Sequence, residues 1–339
     1  MTRSTFLRHF AITLVVAAAL LAITYTLEPF RNFQLASIGA YLCATAGLTV
    51  LTGLNGQLSL GHGALMATGA YTVALSQNAF ADANILGGWV LPVSLLFGVL
   101  ATLIVGLVVG LAAARLRGPY LAGVTLAFAV VIPAITTTWS EIFNSDQGLS
   151  VYLEPPPEGL GSAFPLERWQ AWMALTAALL VMFLLANVVR SRYGRQFRAV
   201  RDDEVAARLS GINIARTQVL AFTVSAACAG LGGGMLAVLT QAVSPSAYSL
   251  TLSLYLLLAV VVGGLGSLTG AVWGSALLVL LPDLAQTVSQ KFSLSPAAAL
   301  RLEGNLPLAI FGLTLIVIMI AAPGGIQGVV RRTFGGPRT

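Results

Sequence analysis

One lysine, Lys291, two histidines and two cysteines occur in 339 residues, and charged residues of all kinds make up only 9% of the chain. Each scarcity excludes something. Soluble domains carry about 25% charged residues, so a chain with 57% hydrophobic residues and a mean hydropathy of +0.87 cannot keep a water-covered surface all round. A phosphate-cradling G-x-x-x-x-G-K-[ST] loop needs a lysine behind a glycine, and Lys291 follows Gln290, so no nucleotide site of that type exists here. Cys43 and Cys228 fall inside apolar runs and read as small core residues, with no disulfide or metal framework implied. The apolar runs also lack the carboxylates and lysines that proton and sodium relays use, since Asp283 sits near the end of its run and Glu28 just beyond one. That weakens an ATP-independent channel or secondary transporter without removing it, because backbone carbonyls at broken helices also bind ions.

The apolar runs that remain are continuous, not alternating, and about 20 residues long, which selects membrane-spanning helices over a barrel. The expected fold is an all-α polytopic membrane protein: one transmembrane domain over residues 1–339 with about ten spans and both termini cytoplasmic. The first run, Phe10 to Leu27, is longer than the core of a cleaved signal peptide and fits an uncleaved span better. Two spans fit between Arg31 and Asp82, one in Trp89 to Ala114, one in Pro119 to Trp139 and one in Trp169 to Val189. Thr217 to Val288 holds three, divided at Ser244-Pro245-Ser246 and at Gly263 to Ser267, and Asn305 to Ala322 is the tenth. The net charge of +6 would suggest nucleic acid in a soluble protein. Here the arginines stand at loops and termini, where the positive-inside rule accounts for them, and nucleic-acid binding is not implied. Parity then puts Arg115, Arg117, the loop 190–216 and the C-terminus in the cytoplasm, and the acidic, proline-rich segment 140–168 outside.

Arg190 to Arg216 carries seven arginines against three carboxylates. At about 2.5–3.5 kcal/mol per arginine, burying seven in lipid would cost on the order of 20 kcal/mol, so the stretch faces water. Asp202 and Asp203 supply N-cap chemistry, and Gly211 is placed to stop the helix they begin. Glu204 and Arg208 have the spacing of a surface pair, while Val205 and Leu209 form a small apolar stripe. Such a helix looks like something a partner grips, although any long cytoplasmic loop tends to be basic and can hold a helix.

The stretch Gly53 to Gly63 sets four glycines and four polar side chains, Asn55, Gln57, Ser59 and His62, between two apolar runs. Freed backbone at membrane depth is tolerated where protein or a water-filled path lies beside it, so this is a candidate pathway element. A tight turn with small residues for close helix packing is the other reading. Ser59 and His62 lie three apart with no orienting carboxylate, which argues against a hydrolytic site.

Four separated motifs resemble one family, the longer, M-type permease subunits of ABC importers for branched-chain amino acids: GLNGQLSLGHGALMATGAY at 53–71, LRGPYLAGVTLAFA at 116–129, RAVRDDEVAARLSGIN at 198–213 and VGGLGSLTGAVWG at 262–274. The ending Pro323 to Gly328 is similar as well. Glu204, Ala206, Ala207 and Gly211 resemble the EAA-type coupling loop of such permeases, with Val205 inserted. Phe143 to Leu149 and Val131-Ile132-Pro133 depart from the family pattern. The resemblance implies a transport subunit of a bacterial inner membrane, with no enzyme activity and no cofactor of its own. ATP and magnesium would be used by two cytoplasmic ATPase subunits, beside a second related permease and a periplasmic solute-binding protein. Arg201, Asp202, Asp203, Glu204, Ala206, Ala207, Arg208 and Gly211 would form the coupling site. Leucine, isoleucine and valine are the implied solutes, with urea or short amides as the alternative.

Overall fold

The computed structural model describes residues 3–291, apart from 86, 117–118, 154 and 162–163, together with 312, 313, 316, 317, 320 and 324–334. Most of the expected span Asn305 to Ala322 lies outside the described residues.

The chain is an all-α membrane protein. Its long helices are α1 (Arg3–Thr26), α2 (Pro29–Leu48), α3 (His62–Asp82), α4 (Val90–Ala113), α5 (Pro119–Thr138), α7 (Leu166–Arg190), α10 (Ile214–Thr240), α11 (Leu250–Gly264) and α12 (Leu268–Lys291). Three short helices complete the set used below: α6 (Ser140–Phe143), α8 (Arg192–Asp202) and α9 (Glu204–Leu209). Among the described residues, seven helical segments are long and apolar enough to cross a membrane. The 21-residue helix α3 is not among the seven, because Gln77, Asn78 and Asp82 dilute its apolar character, and α12 is apolar only over Leu268–Leu284. Helix α3 is instead covered by its neighbours, with twelve of its residues buried against the bundle.

Helix α10 is the central post, packed against α2, α3 and α4. It earns that position by smallness: Gly230, Gly232, Gly233 and Gly234 are all buried. Between helices in a membrane, attraction comes from close van der Waals contact, so small residues that let backbones touch are the stabilising choice. At the α3 crossing, a Cβ added to Gly69 would collide with the Gly230 carbonyl, and alanine there would push the two helices apart.

The helices alternate between two ends. At one end, the His9 Nδ1–Asn187 Oδ1 bond of 2.8 Å brings the start of α1 beside the finish of α7, and Gly325 of the C-terminal helix Gly325–Phe334 contacts Gly264. Arg115 and the arginine-rich stretch lie at this same end. At the other end, Arg31 pairs with Asp283 at 3.2 Å, and Arg168 and Trp172 both donate to Thr24. There the described residues of the segment 140–165 include α6 and a two-residue strand, Leu149–Ser150, paired antiparallel to Ala242–Val243.

Candidate functional site

The site begins where α2 loses its pitch. From Thr49 to Leu54 the helix widens into a π-helix, and after Asn55 the backbone turns at Gly56, whose φ is +77°. Helix ends leave carbonyls without intrahelical partners, and here a distant side chain takes one of them. Arg201, near the end of α8, donates from Nη1 to the Gly53 carbonyl at 2.8 Å, across 148 residues of sequence. Its Nε and Nη2 donate to Asp202 Oδ1 at 2.9 and 2.7 Å, which fixes the guanidinium plane. A cation on the C-terminal carbonyls of a helix also meets the negative end of the helix dipole. Gly53 has no room for a side chain, because a Cβ there would overlap the Gly266 amide nitrogen in the turn between α11 and α12.

Beyond Arg201 the chain forms two helices at a sharp turn. Asp203 leaves α8 in an extended conformation and caps α9, its Oδ1 accepting from the Val205 and Ala206 amides at 2.7 and 3.0 Å. Gly211, at φ +79°, closes the far end: its amide donates to the Arg208 carbonyl and the Ile212 amide to the Ala207 carbonyl, both at 3.0 Å. Both caps are as expected from the sequence, except that Asp202 ends α8 and does not start α9. The expected Glu204–Arg208 ion pair is not among the salt bridges of the described residues. Glu204 Oε1 instead accepts from Gln218 Nε2 of α10 at 3.4 Å. Ala207 faces inward and is buried, whereas Val205 and Leu209 are 69% and 84% exposed. A two-residue apolar stripe on a capped helix thus projects from the end of the bundle.

The turn and the broken helix enclose one cavity of about 600 Å³. Its wall includes Asn55, Gln57 and Leu58 from the glycine-rich stretch, Arg201, Asp202, Asp203 and Glu204 from the turn, Gln218 from α10, and Leu116 and Leu121 near α5. Asn55 and Gln57 are 3% and 4% exposed, yet both polar atoms of the Asn55 amide and the Gln57 Oε1 have no hydrogen-bond partner among the described residues. Buried amides left this way are uncommon and are suited to a polar visitor.

Ser59 and His62 do not line this cavity. They are wholly buried further into the bundle, where His62 Nε2 lies 3.3 Å from Ser225 Oγ. The surrounding backbone is held from other helices: the Leu60 amide donates to Thr125 Oγ1 at 3.0 Å and the Gly63 amide to Ser253 Oγ at 2.9 Å. Gln218, Ser225, Thr125 and Ser253 were not singled out from the sequence. Gln218 and Ser225 carried a usable signal, since they are seven apart on one face of a helix in a run without charge.

A family model described as "Branched-chain amino acid transport system / permease component" matches residues 31–322. The high-affinity branched-chain amino acid transport system permease protein LivM of Escherichia coli (strain K12) is 32% identical over 272 residues, 74% of this chain and 62% of that protein. The chain therefore spans less than two thirds of the length of that relative. The probable branched-chain amino acid transport permease protein LivM of Methanocaldococcus jannaschii is 23% identical over 298 residues, covering 86% of this chain and 84% of its own. The permease protein LivH of the Escherichia coli (strain K12) high-affinity system is 21% identical over 312 residues, covering 89% and 94%. No solved structure matches the chain.

Proposed function

This chain belongs to the branched-chain amino acid transport system permease family, and from that premise we propose that it is the translocating subunit of an ATP-driven importer for leucine, isoleucine and valine. The observation that carries the reading is the Arg201 bond to the Gly53 carbonyl, which ties the exposed α8–α9 turn to the broken end of α2 at the rim of one cavity.

In this account the Val205–Leu209 stripe seats in a groove of a cytoplasmic ATPase, a helix-in-groove contact with anchors four residues apart. When the ATPase pair closes on ATP, the turn moves as a body because Asp203 and Gly211 fix both ends of α9. Arg201 passes that displacement to the π-helical end of α2, the kind of irregular turn that often marks a functional site within a helix. The cavity chemistry fits an aliphatic zwitterion. Asn55 and Gln57 offer unpaired amide donors and acceptors to an ammonium and a carboxylate, and Leu58, Leu116 and Leu121 offer contact to a branched side chain. A second related permease completes the pathway. That is supported by the two differently named permease proteins of the Escherichia coli system, both of which are similar to this chain. A periplasmic binding protein delivers the solute.

The test is co-purification with the neighbouring ATPase subunits, for the wild type and for a chain with residues 202–211 replaced by a Gly/Ser linker. ATPases retained by the wild type and lost by the replacement support the reading, and leucine flux that persists without ATP or ATPases would contradict it. Competition by urea or acetamide, with none by isoleucine, would move the solute to the amide class.

A further inference from the structure

A second groove, of about 440 Å³, opens on the outer face of the bundle at the end where the arginines gather, between the finish of α4 and the start of α10. Its walls are apolar, formed by Leu107 and Leu111, exposed on α4, and by the half-buried Val219 and Leu220 on α10. Each wall runs into an arginine at the same end, Arg115 and Arg216. Leu107 and Leu111 are 40% and 55% exposed, so the groove faces the surroundings of the bundle and not its interior.

The two arginines are not equivalent. Arg115 follows the C-terminus of α4, where the helix dipole favours a cation. Arg216 stands in the first turn of the 27-residue helix α10, where the dipole is positive, and that turn contains no acidic residue. Among the described residues no carboxylate lines the groove, and neither guanidinium belongs to an ion pair. Two cations and a helix N-terminus therefore converge with no anion supplied by the described residues.

We propose that this groove binds an anionic phospholipid, with its acyl chain along the α4 and α10 walls and its phosphate between Arg115 and Arg216. The apolar walls select an amphiphile over free phosphate, and the convergent positive charge selects an anionic headgroup over a zwitterionic one. The assignment is independent of which solute the protein carries.

The test uses the assembled complex, delipidated in detergent, with bound lipid counted by native mass spectrometry and thermal melting followed in parallel. Phosphatidylglycerol is expected to remain bound at one site and to raise Tm more than phosphatidylcholine with the same chains. The double variant R115Q/R216Q is expected to lower phosphatidylglycerol retention about tenfold or more, with phosphatidylcholine retention unchanged. Should that variant fail to assemble, Val219→Trp fills the groove while keeping both arginines and is expected to displace the lipid. Equal retention of both lipids, the same Tm shift from inorganic phosphate alone, or unchanged phosphatidylglycerol retention in R115Q/R216Q would each overturn the proposal.

Discussion

Arg201 and Gly53 are the pair on which the functional account turns. A hydrogen bond from a charged donor contributes about 1.5–3 kcal/mol. With the Arg201 side chain 38% exposed to solvent, the low end applies. Arg201→Ala is therefore expected to lower stability by only about 1–2 kcal/mol, measured by melting, while uncoupling the turn from α2. Gly53→Val is a different kind of change. Its side chain must displace the Gly266 backbone, and overpacking of this sort costs about 1–3 kcal/mol or more, so reduced yield of folded protein in a size-exclusion profile is the expected result. Asp203→Ala removes the carboxylate oxygen that accepts from two amides at the start of α9 and is expected to cost about 1 kcal/mol, visible as faster hydrogen exchange confined to residues 204–209.

At the scale of elements, α9 shows what a sequence can disclose. Its two caps were legible because Asp at an N-cap and Gly beyond a C-terminus are local chemistry, and the structure places Asp203 and Gly211 in those roles. The edges of helices such as Val90–Ala113 and Pro119–Thr138 were legible for a related reason, since the cost of an arginine in lipid forces charges to the ends of helices. The partner of Glu204 is not legible, because Arg208 is its neighbour in the helix, whereas Gln218 reaches it only after the turn folds α10 alongside. The π-helical end of α2 left no such trace. Nothing in Thr49 to Leu54 breaks helical pattern except Gly53, and the partner of its carbonyl is 148 residues away. The exposed stripe carries its own prediction. Seating Val205 and Leu209 in an apolar groove would contribute about 3 kcal/mol, so Leu209→Asp is expected to weaken ATPase association on the order of 100-fold in a pull-down titration, with Tm unchanged because Leu209 is 84% exposed.

At the scale of the whole molecule, the polar side chains of the glycine-rich stretch divide by depth. Asn55 and Gln57 face the cavity beside the turn, and Ser59 and His62 are sealed among helices. A conformational change that moves the end of α2 would alter the first pair directly and the second only if the α3 start shifts against Ser225 and Ser253. In the importer proposed above, ATPase motion reaches the pathway through Arg201. The decisive quantity is the ratio of leucine transported to ATP hydrolysed in the reconstituted importer, for wild type, Arg201→Lys and Arg201→Ala. The expected result is that Arg201→Ala keeps its ATPase subunits and hydrolyses ATP while transport falls by about tenfold or more, with Arg201→Lys restoring part of it. An unchanged ratio in Arg201→Ala would contradict the account, because the turn and the broken helix would then move together without the bond between them.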